Sequence, residues 1–364
     1  MLRVLLIKTS SMGDLVHTLS AVQEAVQVRG QFALDWVCEE NFVDIAKLAP
    51  CIDQIIPVAI RRWRKSLLAH ATRKEIQQFR QMLQTREYDV VIDAQGLLKT
   101  AWITRLARCK NANRWGYDWA SAREPLASLA VKHKVNAPAQ WHAIQRLRVL
   151  LGSALGYAPK GGVPSLQIAT GPAGPRNDDL NPPASRNDDL NPPGPRNDGP
   201  RSSLRGAEGD VAIHREILFL HGTSRAEKSW PLESWIELGR TLSSQGYQIV
   251  LPWGSAQEHE QAQKIAQGIG GQRAQVLPKL GIGELAQKLQ HSAGSIGVDS
   301  GLMHLSVALG CPTVAVMAAS HLPKFSANRF APFWAPHAKV VQREASGDSP
   351  ISPAAVVSAW RALS

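Results

Sequence analysis

The chain has 364 residues and a formal charge of +11, with four cysteines. That length suits two domains, each large enough to bury a core of its own, and the lack of any uncharged apolar run of about 18 residues excludes a membrane-spanning helix. Cys38, Cys51, Cys109 and Cys311 have no CxxC or zinc-ligand spacing, so they read as reduced thiols and no metal site is expected.

The apolar start, 1–7, is interrupted by Lys8 and Asp14. It is too short for the apolar region of a secretory signal and reads as a buried first strand of a cytoplasmic protein. Residues 1–170 hold 23 Lys and Arg against 13 Asp and Glu. The basic surface is therefore N-terminal, and three anionic partners suit it: nucleic acid, a phospholipid surface or a phosphorylated lipid.

In chain order, 3–8 is a strand and 9–13 a small-residue turn. A helix follows over 14–28, with Leu15, Leu19, Val22 and Val26 on one face. Strands at 34–38 and 55–58 lead to the basic stretch Arg61, Arg62, Trp63, Arg64, Lys65. A helix over 74–84 precedes a strand over 88–93 that ends in Asp93, Ala94, Gln95 and Gly96. The alternation is that of an α/β domain with a mostly parallel sheet.

Residues 171–207 break the pattern. The unit Arg-Asn-Asp-Asp-Leu-Asn-Pro-Pro starts at Arg176 and Arg186, and a truncated copy starts at Arg196; with so few apolar side chains the segment reads as a disordered linker. Strands then recur at 216–221, 247–251, 274–277, 294–298 and 313–317, and Pro231 is placed at the first position of a helix. The expected organisation is an N-terminal Rossmann-like domain over 1–170, the linker over 171–207, and a second Rossmann-like domain over 208–350. A C-terminal helix within 351–364 is expected to pack back on the first domain.

Four strand-end segments carry candidate chemistry. In Lys8–Asp14, Asp14 stands at the mouth of a cleft either as a base or as a plain helix cap. In 222–231, Thr223, Ser224 and Lys228 suit a diphosphate, although a solvated polar loop has the same composition. In 297–304, Asp299, Ser300, Gly301 and His304 precede and enter a helix whose positive end faces the cleft, while a lone helical histidine is also compatible with simple packing. After the strand at 247–251, Glu258 is placed to accept ribose hydroxyls or to act as an acidic first-turn residue. The GxGxxG fingerprint is missing, which weighs against a nicotinamide or flavin dehydrogenase.

Taken in order, the segments 8–14, 56–65, 93–96, 122–128 and 297–304 resemble the bacterial heptosyltransferases of glycosyltransferase family 9, and among them those acting first in building the lipopolysaccharide core. The resemblance runs over nearly the whole chain except 171–207. It implies a GT-B fold of two Rossmann-like domains facing across a cleft. The implied reaction is inverting transfer of heptose from ADP-L-glycero-β-D-manno-heptose to the Kdo of Kdo-lipid A.

By the same resemblance Asp14 is the general base. Thr223, Ser224 and Lys228 contact the diphosphate, Glu258 the ribose and Leu280 the adenine, while Asp299, Ser300, Gly301 and His304 hold heptose and phosphate. Lys8, Ser10, Gly13, Arg61, Arg62, Arg64, Lys65, Gln95 and Arg123 are expected to bind the acceptor, with Lys132 helping to guide it. No Asp-x-Asp pair is present, so no metal or other cofactor is expected. The implied protein is a monomer at the cytoplasmic face of the inner membrane of a Gram-negative cell. Alternatives are a heptosyltransferase adding a later heptose and a basic, non-enzymatic nucleic-acid-binding protein.

Overall fold

The computed structural model describes residues 1–159, 215–322, 325–343 and 350–363; the repeat at 171–207 lies outside them. The first lobe runs β1 (Arg3–Ile7), α1 (Met12–Arg29), β2 (Ala33–Glu39), α2 (Val43–Ala46), β3 (Gln54–Val58), α3 (Ile60–Trp63) and α4 (His70–Gln84). It continues with β4 (Val90–Asp93), α5 (Leu98–Leu106), β5 (Arg114–Tyr117), β6 (His133–Val135) and α6 (Ala143–Leu155). The second lobe begins with β7 (Glu216–Leu220), α7 (Leu232–Ser244), β8 (Gln248–Leu251), α8 (Ala256–Ile269), β9 (Ala274–Val276) and α9 (Ile282–Gln290). It ends with β10 (Gly294–Val298), α10 (Gly301–Ala308), β11 (Thr313–Met317), α11 (Ala327–Phe330), β12 (Ala338–Gln342) and α12 (Pro353–Arg361).

Each lobe is a six-stranded sheet, in the orders β3-β2-β1-β4-β5-β6 and β12-β11-β10-β7-β8-β9. All pairings are parallel. Both orders are the doubly wound one, reversing between β1 and β4 in the first lobe and between β7 and β10 in the second. Ligands of such sheets bind beyond the strand ends at that reversal, where the loops after β1, β4, β7 and β10 emerge.

The central strands are largely apolar and buried because both their faces are covered. Leu5 and Ile7 of β1 meet Phe79, Leu83 and Ile103 of α4 and α5, while Val4 and Leu6 point to the layer of α1 and α6. On the second lobe Ile217 and Phe219 meet Trp235, Leu238 and Ile265. One apolar cluster continues from Leu6 and Leu15 to Leu218 and Met303, so it joins the two lobes. The two Rossmann-like domains and the cleft of the GT-B plan are thus present.

Three differences from the sequence reading concern edges and ends. Strands β5, β6 and β12 were not anticipated: Arg114-Trp-Gly-Tyr is short and mixed, and β6 and β12 are sheet-edge strands. Pro231 is the N-cap of α7, one residue before the first helical position. Helix α12 does not turn back on the first lobe as expected; its Val356, Val357 and Trp360 join Trp230 and Trp235 in the core of the second. That burial follows from an apolar face lying beside β11, β12 and α7. Truncating the buried Trp360 by Trp360→Ala should destabilise the protein by about 3–5 kcal/mol in urea denaturation; a loss under about 1 kcal/mol would mean that α12 is dispensable to this core.

Candidate active site

The loop after β1 is held by long-range bonds. Gln95 Oε1 accepts from the backbone N–H groups of Thr9 and Ser10 at 3.1 and 3.3 Å, and Asp93 fixes the next turn by accepting from Gln95 and Gly96. Ser10 and Gln95 are buried, and neither lines the cavity described below. Lys8 is also buried. Its ammonium donates to the carbonyl of Ala94 at 3.1 Å and lies 3.6 Å from Asp14 Oδ1, so it stands behind Asp14 and acts on that carboxylate.

Ser11 is the N-cap of α1, and Asp14, at the third helical position, accepts from the Ser11 backbone N–H and hydroxyl at 3.0 and 3.1 Å, both through Oδ2. Asp14 therefore is a helix cap, yet it also lines the cleft. Burial pushes its carboxyl up; the Lys8 ammonium, the Ser11 hydrogen bonds and Arg123 outweigh burial and leave it below the usual carboxylate range. It is ionised at neutral pH.

Across the cleft, the loops after β7 and β10 converge on Asp299. Lys228 Nζ lies 2.5 Å from Asp299 Oδ2 and His304 Nε2 3.3 Å from Oδ1. The Thr223 hydroxyl donates to the Asp299 carbonyl at 3.4 Å. Burial raises the Asp299 carboxyl, but the bond and charge of His304, together with Lys228, hold it at about 2. Ser300 caps α10 by accepting from Met303 N–H. Glu258 closes the first turn of α8 by accepting from Gly254 and Ser255 N–H at 2.8 and 3.0 Å, and like Asp14 it combines a cap with a place on the cavity wall.

These groups enclose a cavity of about 470 Å³, within the usual range for small-molecule sites. Of the expected residues, Gly13, Asp14 and Arg61 line it from the first lobe. Thr223, Ser224, Lys228, Glu258, Leu280, Asp299, Ser300, Gly301 and His304 line it from the second. Arg62, Arg64, Lys65 and Arg123 do not line it. Arg62 is held by Glu40 and Glu75 in a surface ion-pair network, whereas Arg123 is exposed but close enough for its charge to act on Asp14.

Glycine matters at the contact between the lobes. A Cβ on Gly13 would lie 2.9 Å from the His304 ring, and one on Gly301 would overlap the Met12 side chain. Met12 fills the space beside Gly301, and both residues line the cavity.

The sequence reading passed over several groups. Phe42, Trp253, Ile282, Leu285 and Phe330 add apolar wall. His17 packs edge-on against His304 at 4.7 Å and against His142 at 5.6 Å. His142 Nδ1 accepts from Ile144 N–H, and its Nε2 bonds the Ala331 carbonyl of the other lobe at 3.2 Å. Spacing hints at His17, three residues after Asp14 on the same helix; nothing local marks His142. Among the described residues no group of three or more His, Cys, Asp and Glu is arranged to hold a metal ion.

Two doubly wound lobes that bring a carboxylate and a cation-lined pocket to one cleft have the plan of a GT-B glycosyltransferase. The chain belongs to glycosyltransferase family 9, the heptosyltransferases, whose model matches residues 76–347. It is 38% identical over 316 residues to lipopolysaccharide heptosyltransferase 1 of Escherichia coli, covering 86% of this chain and 87% of that one. The solved structure of E. coli heptosyltransferase WaaC with ADP matches with a TM-score of 0.80 at 33% identity, and all of both chains is covered. The same enzyme with ADP-2-deoxy-2-fluoro heptose gives 0.76 at 32%, again over all of both chains. Membership of this family sets aside the nucleic-acid-binding and dehydrogenase readings.

The histidines give the site a pH dependence in stability. Burial, then His304, His142 and Lys8, drives His17 well below its ordinary value; burial and His304 bring His142 to about 4. Both are neutral in the fold, whereas the unfolded chain protonates them below about pH 6.5. Unfolding then takes up protons, so stability is full above that pH and falls as pH drops toward about 4, by up to about 1.4 kcal/mol per histidine for each pH unit. The thermal midpoint should fall over this window, and less steeply in His142→Gln, which keeps one donor and one acceptor. An equal slope in that variant would show that His142 titrates alike in both states.

Proposed function

We propose that the protein transfers L-glycero-D-manno-heptose from ADP-heptose to the Kdo of Kdo-lipid A, an inverting step of lipopolysaccharide inner-core synthesis. The observation that carries this reading is the pairing, across one cavity, of ionised Asp14 on the first lobe with Lys228 and the N-terminus of α10 on the second. Relatives solved with ADP and with a fluorinated ADP-heptose support the choice of donor.

Asp14 Oδ2 is occupied by Ser11, which leaves Oδ1 to accept the proton of a Kdo hydroxyl. The hydroxyl oxygen bonds to the anomeric carbon of the heptose from the face opposite the diphosphate as that proton leaves it. The bond from that carbon to the β-phosphate oxygen breaks, and ADP departs. A carboxylate of lowered pKa is a weak base, so the proton moves late, as the new bond forms.

The negative charge growing on ADP is met by Lys228, by the hydroxyls of Thr223 and Ser224, and by the free N–H groups at the start of α10. Glu258 accepts from the ribose, and Leu280 with Ile282 and Leu285 packs the adenine. Asp299 and His304 hold the heptose; Asp299 also keeps Lys228 in place. Cation and helix end take over the charge neutralisation that other nucleotide-sugar enzymes assign to a divalent ion, so no metal enters the step. The acceptor is a membrane lipid, and the enzyme works as a monomer attached peripherally to the cytoplasmic face of the inner membrane. Arg61, Arg64, Lys65 and Arg123 attract the acceptor's phosphates and carboxylates.

ADP release from ADP-heptose with Kdo-lipid A tests the reading. Asp14→Asn should lose about a hundredfold to ten-thousandfold in turnover, and thorough chelation should leave the wild-type rate unchanged. Undiminished turnover in Asp14→Asn would remove the proposed base. A chelation loss that a divalent ion restores would put a metal in the step, and preference for an already heptosylated acceptor would move the enzyme to a later one.

A further inference from the structure

Large apolar side chains are unevenly exposed. Leu67, Leu68, Leu98, Trp102, Leu126 and Leu129 of the first lobe are 41% to 84% exposed, while among the described residues of the second lobe Phe333 alone is in this class. A single exposed leucine needs no explanation, but a cluster does.

These six come from three segments with one topological origin: the chain after β3, after β4 and after β5. In a parallel sheet those strand ends share an edge, the edge on which Asp14 emerges after β1. Side-chain and backbone bonds tie the second of these segments to the third. Leu98 N–H donates to Glu124 at 2.6 Å and Arg105 donates to the Leu129 carbonyl at 2.6 Å, while Ala101 packs on Ala127 and Ala130. Lys99 reaches Glu39 at 4.0 Å, beside the cavity residue Arg61 and its ring partner Phe42.

Cations are interleaved with the leucines. Arg64 and Lys65 precede Leu67 and Leu68 with Ser66 between them, Lys99 follows Leu98, and Arg123 stands three residues before Leu126. Apolar tips among Lys and Arg match a bilayer interface, where leucine enters the acyl boundary and the cations meet anionic headgroups. A polyanion in water would use the cations and leave the leucines solvated.

We propose that this rim is a membrane-docking face that sets the leucines and Trp102 into an anionic bilayer, with the mouth of the cavity turned to the lipid surface. The proposal deepens the transfer reading, since it puts a lipid-borne acceptor within reach without extracting it from the bilayer.

Flotation of the full chain with vesicles of phosphatidylethanolamine and phosphatidylglycerol, without donor or acceptor, tests it. Wild type should float with these vesicles and stay behind with phosphatidylcholine alone. Leu67→Ser with Leu68→Ser, and Leu126→Ser with Leu129→Ser, should each weaken binding by about tenfold or more, whereas Phe333→Ser should bind as wild type does. Both double variants should keep wild-type ADP release with a soluble, deacylated Kdo acceptor, which shows that they are folded. Failure of wild type to float, or leucine variants that bind as wild type, would overturn the docking face. Failure of transfer to the soluble acceptor with vesicle binding intact would instead count against the reaction.

Discussion

The approach of two helix N-termini across the cleft is the constraint on which the site depends. Helix α1 from the first lobe and α10 from the second meet with Gly13 against His304 and Gly301 against Met12, too close for a side chain at either glycine. Each helix end carries about half a positive charge, so two facing ends would repel across a dry gap. Asp14 and Asp299, one beside each end, offset that charge. The arrangement that holds the lobes together is thus also an anion-binding space with its own carboxylates in place.

Those carboxylates differ in what their environment permits. Asp299 faces Lys228 with one oxygen and His304 with the other and is held at about 2; it orients a cation and an imidazole. Asp14 has one oxygen engaged by Ser11 and one turned toward Lys8, with the cavity beside it. Structural order and reactivity are therefore divided within the same residue. The proton acceptor is fixed in direction by the bond that caps its helix, so it pays little entropy for its position.

Much of this was readable locally. An apolar strand, a run of small or hydroxyl residues and an amphipathic helix mark the loops after β1, β7 and β10, and the doubly wound order puts all three where ligands bind. The choice between cap and base for Asp14, and between first-turn acid and ribose contact for Glu258, was posed as an alternative, and the geometry allows both at once. What stayed hidden depends on long-range contacts. Gln95 holds the Ser10 backbone over 85 residues and Arg62 reaches Glu40 over 22, bonds that fix a loop and a surface. His142 meets Ala331 over 189 residues, and no spacing rule announces such a pair. The strands missed, β5, β6 and β12, are short or peripheral, where the apolar signal of a doubly covered strand fades.

Division of labour between the lobes is the central claim, and donor affinity measures it most directly. Titration calorimetry of ADP against wild type, Asp14→Asn and Lys228→Met separates the lobes without any turnover. The account predicts a dissociation constant unchanged in Asp14→Asn and raised by about tenfold or more in Lys228→Met, the scale of one charge-assisted bond. ADP affinity that depends on Asp14 and is indifferent to Lys228 would contradict it.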